Sequence, residues 1–295
     1  MLDFILWNPD PILCRIFGWP IRWYSLCWCM ALLLGYLNMA RLYRKQNIPD
    51  EIFSPLFFYC FFGVLIGARL GHCLFYEPNY FLGHLSEMFL PIRHTAEGWQ
   101  MIGYEGLSSH GGVLGMIIGI WLYCRKTKVN ILRVLDNMGI ATPLSAAFIR
   151  LGNLMNSEIV GNQTDLPWGF IFAANGENFA RHPAQLYESI FYVFIFILGL
   201  ILYNYRQNKK KVGTGFFFGW CLTTIFTFRF FIEFLKADQV DAEASMFINI
   251  GQLLSLPLIA IGIYCLVGGK YCIRFAEKSG QKKYVIPQKD SKKKK

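Results

Sequence analysis

The stretch FIRLGNLMNSEIVG (residues 148–161) places Arg150, Asn153, Asn156 and Glu158 directly after the apolar run MGIATPLSAAFI. A guanidinium presents its N–H donors as a planar fork that fits a carboxylate or a phosphate through two parallel hydrogen bonds. Asn153 lies three residues after Arg150 and Ser157 seven after it, so at helical spacing all three share a face. The amides and Glu158 on that stretch can bond the guanidinium, one another or a bound polar ligand. A plain helix exit bracketed by Gly152 and Gly161 accounts for one asparagine and one glycine, not for the whole set. Together these residue types supply capture of an anion.

Arg69 in LIGARLGHCLFY and Arg229 in TIFTFRFFIEFLK also interrupt apolar sequence. An arginine at membrane depth costs roughly 2.5–3.5 kcal/mol on insertion scales, so each one demands a reason. One reason is local: the side chain snorkels to the interface or pairs with a carboxylate, and Arg229 and Glu233 stand four apart on one helical face. The other is convergence of three cations on one anionic ligand.

In HGGVLG, His110 precedes Gly111, Gly112 and Gly115. Glycines let a backbone approach a ligand closely, and the N–H groups of a helix start attract anions. The same residues also serve helix packing behind an interfacial histidine, and HGG alone does not decide. ARHPAQLYES (residues 180–189) puts Pro183 in a first helical turn, with Gln185 and Glu188 three apart; capping explains much of it. Trp23, Tyr24 and Trp28 read first as an aromatic belt. The nine cysteines form no CxxC pair and read as small hydrophobes. The five histidines make no i, i+4 pair with a carboxylate, so neither a metal nor a cofactor is implied.

The elements that must hold these residues follow from composition. The 295 residues are 54% apolar and only 16% charged, with a mean hydropathy of +0.35. A soluble domain carries about 25% charged residues. Apolar runs near the length of a bilayer span predict transmembrane helices over about 21–40, 53–75, 109–124, 132–152, 184–203, 214–235 and 247–267. Such long runs argue against a β-barrel. The expected fold is an all-α integral membrane protein of seven spans, one polytopic domain over residues 1–295 without an internal repeat. A small extracytoplasmic cap is expected from the outer loops 76–108 and 157–183, and a basic cytoplasmic tail at 275–295. The N-terminal MLDFILWNPDPILCRIFGWP lacks a basic n-region and a small-residue cleavage site, and reads as an interfacial lead-in rather than a signal peptide.

Basic residues alternate between loops. They gather at Arg41, Arg44 and Lys45, in CRKTKVN, in RQNKKKVG and in the tail, while the loops between carry Glu77, Glu87, Glu97, Glu105, Asp165, Glu177, Asp238, Asp241 and Glu243. The positive-inside rule puts the N-terminus outside and the C-terminus inside, and brings Arg69, Arg150 and Arg229 into the outer half of the membrane. The net charge of +10 therefore marks a cytoplasmic side rather than nucleic-acid binding.

With RLGNLMNSEIVG, SSHGGVLG, RHPAQLYE and FRFFIEF in this order, nearly the whole chain resembles the prolipoprotein diacylglyceryl transferase family. The resemblance implies an enzyme of the bacterial cytoplasmic membrane. Its partners are phosphatidylglycerol, prolipoprotein signal peptides and the surrounding membrane lipids. It moves a diacylglyceryl group from the lipid to the thiol of the lipobox cysteine and releases glycerol phosphate. By motif position, the family's essential residues fall on Tyr24, His110, Arg150, Asn153, Gly161 and Arg229, and its carboxylates on Glu158 and Glu233; Arg69, Gly111 and Gly112 join the lipid-binding set. Ile225 is a departure, standing where the family often has a tyrosine one turn before the arginine. The resemblance assigns Arg150 and Arg229 to a phosphate clamp with Asn153 orienting, and Tyr24 to lipid or peptide. His110 is open between general base, phosphate ligand and loop anchor. The rival reading is a small-anion transporter with an outer-half arginine site, against which the lack of a repeat weighs.

Overall fold

The computed structural model describes residues 4–90, 92–95, 98–101, 106–208, 212–237, 248–269 and 271–272. The expected basic tail at 275–295 and the acidic loop residues Glu97, Glu105, Asp238, Asp241 and Glu243 lie outside the described residues.

In chain order the elements are β1 (Ile5–Trp7), β2 (Ile12–Ile16), β3 (Trp19–Arg22), α1 (Trp23–Lys45), α2 (Asp50–Phe75), α3 (Pro78–Phe81) and α4 (Leu85–Phe89). There follow β4 (Ile92–Thr95), β5 (Gly98–Met101), α5 (Ser109–Thr127), α6 (Ile131–Met155), β6 (Phe170–Phe172), α7 (Ala184–Asn208), α8 (Phe216–Ile232) and α9 (Ile250–Leu266). The protein is mostly helical, and the long helices coincide with the apolar stretches of the sequence. Among the described residues, four segments are long and apolar enough to cross a membrane: Trp23–Lys45, Asp50–Phe75, Ala184–Tyr205 and Phe216–Leu235. The α9 helix is apolar but shorter.

An all-α chain needs one correction. Among the described residues there are three two-stranded sheets: β1 with β6 in parallel, and the antiparallel pairs β2–β3 and β4–β5. Their strands of three to five residues are too short to register against a search for bilayer-length runs. The N-terminal lead-in is thus partly a hairpin. Its two-residue turn, Phe17–Gly18, has φ values of 49° and 83°, the left-handed pair such a turn needs. The two long loops expected to face outward also carry structure among their described residues, the first through α3, α4 and β4–β5, the second through β6 and a 3-10 turn at Ala173–Asn175.

The described residues cluster into two compact units, one of residues up to Leu42 together with those from Leu132 on, the other of Tyr43–Ile131. In the second unit α2 and α5 pack backbone to backbone. A Cβ added at Gly63, Gly67, Gly111 or Gly115 would overlap a carbonyl of the facing helix. Only glycine permits that approach. Along the seam runs an apolar cavity of about 570 Å³, lined by Phe58, Phe62, Ile66, Leu70, Leu114 and Ile118 among others.

In the first unit, α6 and α8 are joined by Asp136. Its fully buried carboxylate accepts backbone N–H bonds from Gly213 (2.8 Å), Gly215 (3.1 Å) and Phe218 (3.1 Å). Those N–H groups belong to the turn before α8 and to its first residues, so a carboxylate there meets both the unpaired donors and the positive end of the helix dipole. Ala147, Tyr192, Ile195, Trp220, Cys221 and Ile225 form a core around α6, α7 and α8. A Cβ at Gly139 would stand 2.6 Å from the Phe217 carbonyl oxygen, so α6 and α8 also touch through backbone.

Candidate active site

Arg150 occupies the last turns of α6, six residues before the chain leaves helical geometry. Its Nε makes an ion pair with Glu188 Oε2 at 3.0 Å, and its Nη1 donates to Asn153 Oδ1 at 3.4 Å. Asn153 passes the chain of bonds on: its Nδ2 donates to Glu158 Oε2 (3.2 Å), while Asn156 Nδ2 donates to the other carboxylate oxygen (3.0 Å). The shared helical face read from spacing is therefore an interaction network. Beyond Met155 the backbone turns through two non-glycine residues in the left-handed region, Ser157 (φ 55°) and Ile159 (φ 57°). Such conformations cost free energy and persist where surroundings fix them. Here Gln185, on the first turn of α7, donates from Nε2 to the Glu158 carbonyl, and Asn175 Nδ2 donates to that of Ser157 (3.1 Å).

Glu188 has 0% exposure and is the hub. Besides Arg150 it pairs with Lys236 Nζ through Oε1 (3.4 Å) and accepts the Tyr192 hydroxyl (3.2 Å). Lys236 in turn pairs with Glu233 Oε2 at 3.1 Å. A buried carboxylate between two cations is stable only because each charge is matched, and removing one member strands the others. The four-residue spacing allows a pair between Arg229 and Glu233, but Glu233 turns to Lys236. The 3-10 turn Glu233–Leu235 brings residues three apart into line, so i, i+3 replaces i, i+4.

Arg229 lies in the last turn of α8. Ile225 belongs to the same core cluster as Tyr192.

Gly161 sits where three segments cross. Its N–H donates to the His182 carbonyl (2.9 Å), and it bridges to Lys236 across an antiparallel contact. A Cβ there would come within 2.5 Å of His182 Cβ and 2.7 Å of the Leu235 carbonyl oxygen. Glycine is required for space, not for turn geometry. Tyr24, at the start of α1, lays its ring over Gly152: an added Cβ would meet Tyr24 Cδ2 at 3.0 Å. Tyr24 is thereby attached to the helix that carries Arg150, two residues away. Burial holds the His182 imidazole below its ordinary value, and its Nδ1 lies 3.3 Å from the Tyr187 hydroxyl.

His110, Gly111, Gly112 and Arg69 belong to the other unit. His110 is exposed on the first turn of α5. The Gly111 N–H there is capped by Ser108 Oγ (3.3 Å), and Gly111 packs on the Gly67 carbonyl, so helix packing accounts for it. Gly112 has ordinary room, 3.5 Å from Ala68 Cβ. Arg69 is buried, donates to the Met88 (3.2 Å) and Glu87 (2.6 Å) carbonyls and lies 4.8 Å over the Phe81 ring. It ties the segment of α3 and α4 to α2. Glu188, Lys236 and Tyr192 were not singled out as site residues by the sequence. The available signal was Lys236 three residues after Glu233 in FIEFLK, and a glutamate in an apolar helix that needs a cation.

A model of the prolipoprotein diacylglyceryl transferase family matches residues 11–268. The phosphatidylglycerol–prolipoprotein diacylglyceryl transferase of Bacteroides fragilis is 56% identical over 261 residues, covering 88% of this chain and 93% of that protein. Proteins of the same name from Tolumonas auensis (42% identical, 89% of this chain, 96% of that protein) and Porphyromonas gingivalis (40%, 90% and 94%) are similar along comparable lengths. The Arg150 network, the Gly161 crossing and Arg229 all lie inside the matched residues, and the chain belongs to the prolipoprotein diacylglyceryl transferase family.

Proposed function

We propose that this protein transfers the diacylglyceryl group of phosphatidylglycerol to the thiol of the lipobox cysteine in a prolipoprotein signal peptide. The observation that carries the reading is the chain Asn153–Arg150–Glu188–Lys236–Glu233, which lies within the residues that the family model matches. Arg150 is held by Nε and Nη1 in a fixed plane, and a guanidinium has five donors, so its fork is oriented before a phosphate arrives.

The substrate thiol loses its proton, its sulfur attacks the terminal glycerol carbon, and a carbon–sulfur bond forms as the carbon–oxygen bond to phosphate breaks. The electron pair leaves with glycerol phosphate. Negative charge therefore grows on the leaving group, and Arg150 and Arg229 stabilise it more in the transition state than in the bound lipid. Asn153 orients Arg150, and Tyr24 contacts lipid or peptide. For His110 the reading keeps the three roles the resemblance leaves open, taking the thiol proton, binding phosphate and anchoring a loop.

The seven helices α1, α2, α5, α6, α7, α8 and α9 are the spans, in a bacterial inner membrane, with residues 76–108 and 157–183 outside. Even α9, with 17 residues, reaches about 26 Å at 1.5 Å per residue, against a hydrocarbon core of about 30 Å. The closing turns of α1 and α5 carry Arg44, Lys45, Arg125 and Lys126, which supports an inner position for those ends. Cysteines introduced at Lys45 and Glu177 test this: the first should label only after permeabilisation, the second in intact cells.

The deciding experiment incubates the purified protein with phosphatidylglycerol and a lipobox peptide. A mass gain of one diacylglyceryl on the peptide's cysteine is expected, and none when that cysteine is serine. A folded protein that moves anions across vesicles without modifying peptide would overturn the reading in favour of a transporter.

A further inference from the structure

Cys265 lies in the final turn of α9, and Cys272 follows seven residues later. On a continuous helix that spacing would part them by roughly 10 Å along the axis. Their sulfurs instead lie 3.9 Å apart, and both side chains are buried.

A reversal of the chain brings them together. Gly268 holds φ at 72°, the left-handed conformation that ends a helix and that glycine adopts without strain. Its N–H donates to the Cys265 carbonyl (3.2 Å) and the Gly269 N–H to the Tyr264 carbonyl (3.0 Å), the paired bonds of a Schellman turn. Gly269 passes so close to the Tyr264 ring that a Cβ there would overlap it. The Tyr271 N–H then donates to the Tyr264 hydroxyl (3.1 Å). Tyr264 is thus the post around which the chain returns Cys272 to Cys265. The pair also touches α8. A Cβ at Gly215 would stand 3.5 Å from Cys272 Sγ, and one at Gly219 would stand 2.7 Å from Cys265 Cβ. The Gly215 N–H is one of those that the Asp136 carboxylate accepts.

Packing accounts for either cysteine alone as a small apolar residue. Together they have a chemistry that neither has alone. A disulfide bond is about 2.05 Å long, so each sulfur need move only about 1 Å, within reach of torsion about its Cα–Cβ bond. We propose that Cys265 and Cys272 are a modification site, a reversible dithiol–disulfide pair that fastens the chain beyond α9 to that helix and against the start of α8. The co-reactant is a small-molecule disulfide. The Cys272 thiol, beyond the helix end, loses its proton and attacks one sulfur of that disulfide, and the thiolate expelled takes the proton. Cys265 then attacks the Cys272 sulfur, and its proton goes to the second thiolate released. The two cysteines are oxidised and the small disulfide is reduced to two thiols. In a reducing compartment the pair rests as the dithiol, and an oxidising challenge closes it. The proposal does not rest on the transfer reaction.

The test treats the purified full-length protein in detergent with oxidised glutathione, unfolds it in iodoacetamide to block the remaining thiols, and maps its tryptic peptides. Cleavage at Lys270 separates the two cysteines, so the expected product is a cross-linked peptide pair, lighter by two hydrogens than the reduced peptides together. The oxidised protein should melt several degrees above the reduced one. Dithiothreitol should reverse both changes. Cys265→Ser should stop at the mixed disulfide, with one glutathione on Cys272 and no rise in melting temperature; should that variant not fold, the wild-type map decides by itself. Full alkylation of both cysteines after oxidation would overturn the site. So would a glutathione on each, or a bond from Cys272 to a second copy of the chain. A closed bond with an unchanged melting temperature would overturn the fastening. Lipid transfer to peptide is a separate assay, so loss of that reading leaves these outcomes as they are.

Discussion

Between α2 and α5 the helices meet through backbone: Gly63, Gly67, Gly111 and Gly115 leave no room for a Cβ, and the seam beside them is apolar. Among α6, α7 and α8 they meet through charge: Arg150, Glu188, Lys236 and Glu233 alternate in sign, and Asp136 caps α8. The one buried arginine of α2, Arg69, spends its donors on carbonyls of its own unit. The contrast teaches where a membrane protein can keep reactive charge. A glycine seam is cheap and rigid but offers a ligand no handle, whereas a matched charge chain costs desolvation and leaves oriented donors at its end.

The largest effect should come from breaking the orientation of that donor while keeping its charge. Arg150→Lys loses the planar fork, and removing one transition-state donor of this kind typically costs about 10²–10³ in turnover. We expect transfer, measured by peptide mass, to fall by about that factor at normal folded yield. Near wild-type transfer would reduce Arg150 to a counter-charge for Glu188.

Next comes the glycine seam. Gly115→Val would drive side-chain atoms into the Gly63 carbonyl, and overpacking of this sort costs about 1–3 kcal/mol or more. Gly112→Ala, with 3.5 Å to Ala68 Cβ, should be tolerated. Thermal unfolding in detergent distinguishes the pair. Equal melting temperatures would mean that α2 and α5 are not held by close approach at Gly115.

Asp136→Asn keeps the shape but swaps an acceptor oxygen for an amide that faces N–H donors. An unsatisfied buried donor costs about 1–3 kcal/mol, so stability should drop by that order. Because Asp136 joins the helices of Arg150 and Arg229, transfer should decline in the variant molecules that remain folded. A change in yield with no change in specific activity would limit Asp136 to folding.

The smallest effect is one of pH. Burial lowers the His182 pKa below the ordinary 6.5, so the unfolded chain binds that proton more readily than the folded one. The stability gained is complete above that ordinary value and is lost as pH falls through the lowered one. His182→Gln should therefore flatten the slope of melting temperature between about pH 8 and 5. An unchanged slope would remove His182 as its source.

The sequence by itself determined the helices, because bilayer-length apolar runs bounded by basic loops admit few other structures. It also determined that Arg150, Asn153 and Glu158 act together, since helical spacing and a short turn bring close neighbours in sequence to one place. It showed the cost of Arg229 and Glu233 without identifying their partners, because four-residue spacing allows a pair that the 3-10 turn then withdraws. Only the tertiary structure decided that Glu188, 38 residues beyond Arg150, is its counter-ion, and that Lys236, 48 beyond Glu188, completes the chain. Only it showed Gly161 as a crossing of three segments and Asp136 as the cap of a helix that begins 80 residues later. Local periodicity encodes which face a residue occupies. Which distant face meets it is a matter of packing, settled when a buried charge finds the one partner that offsets its desolvation.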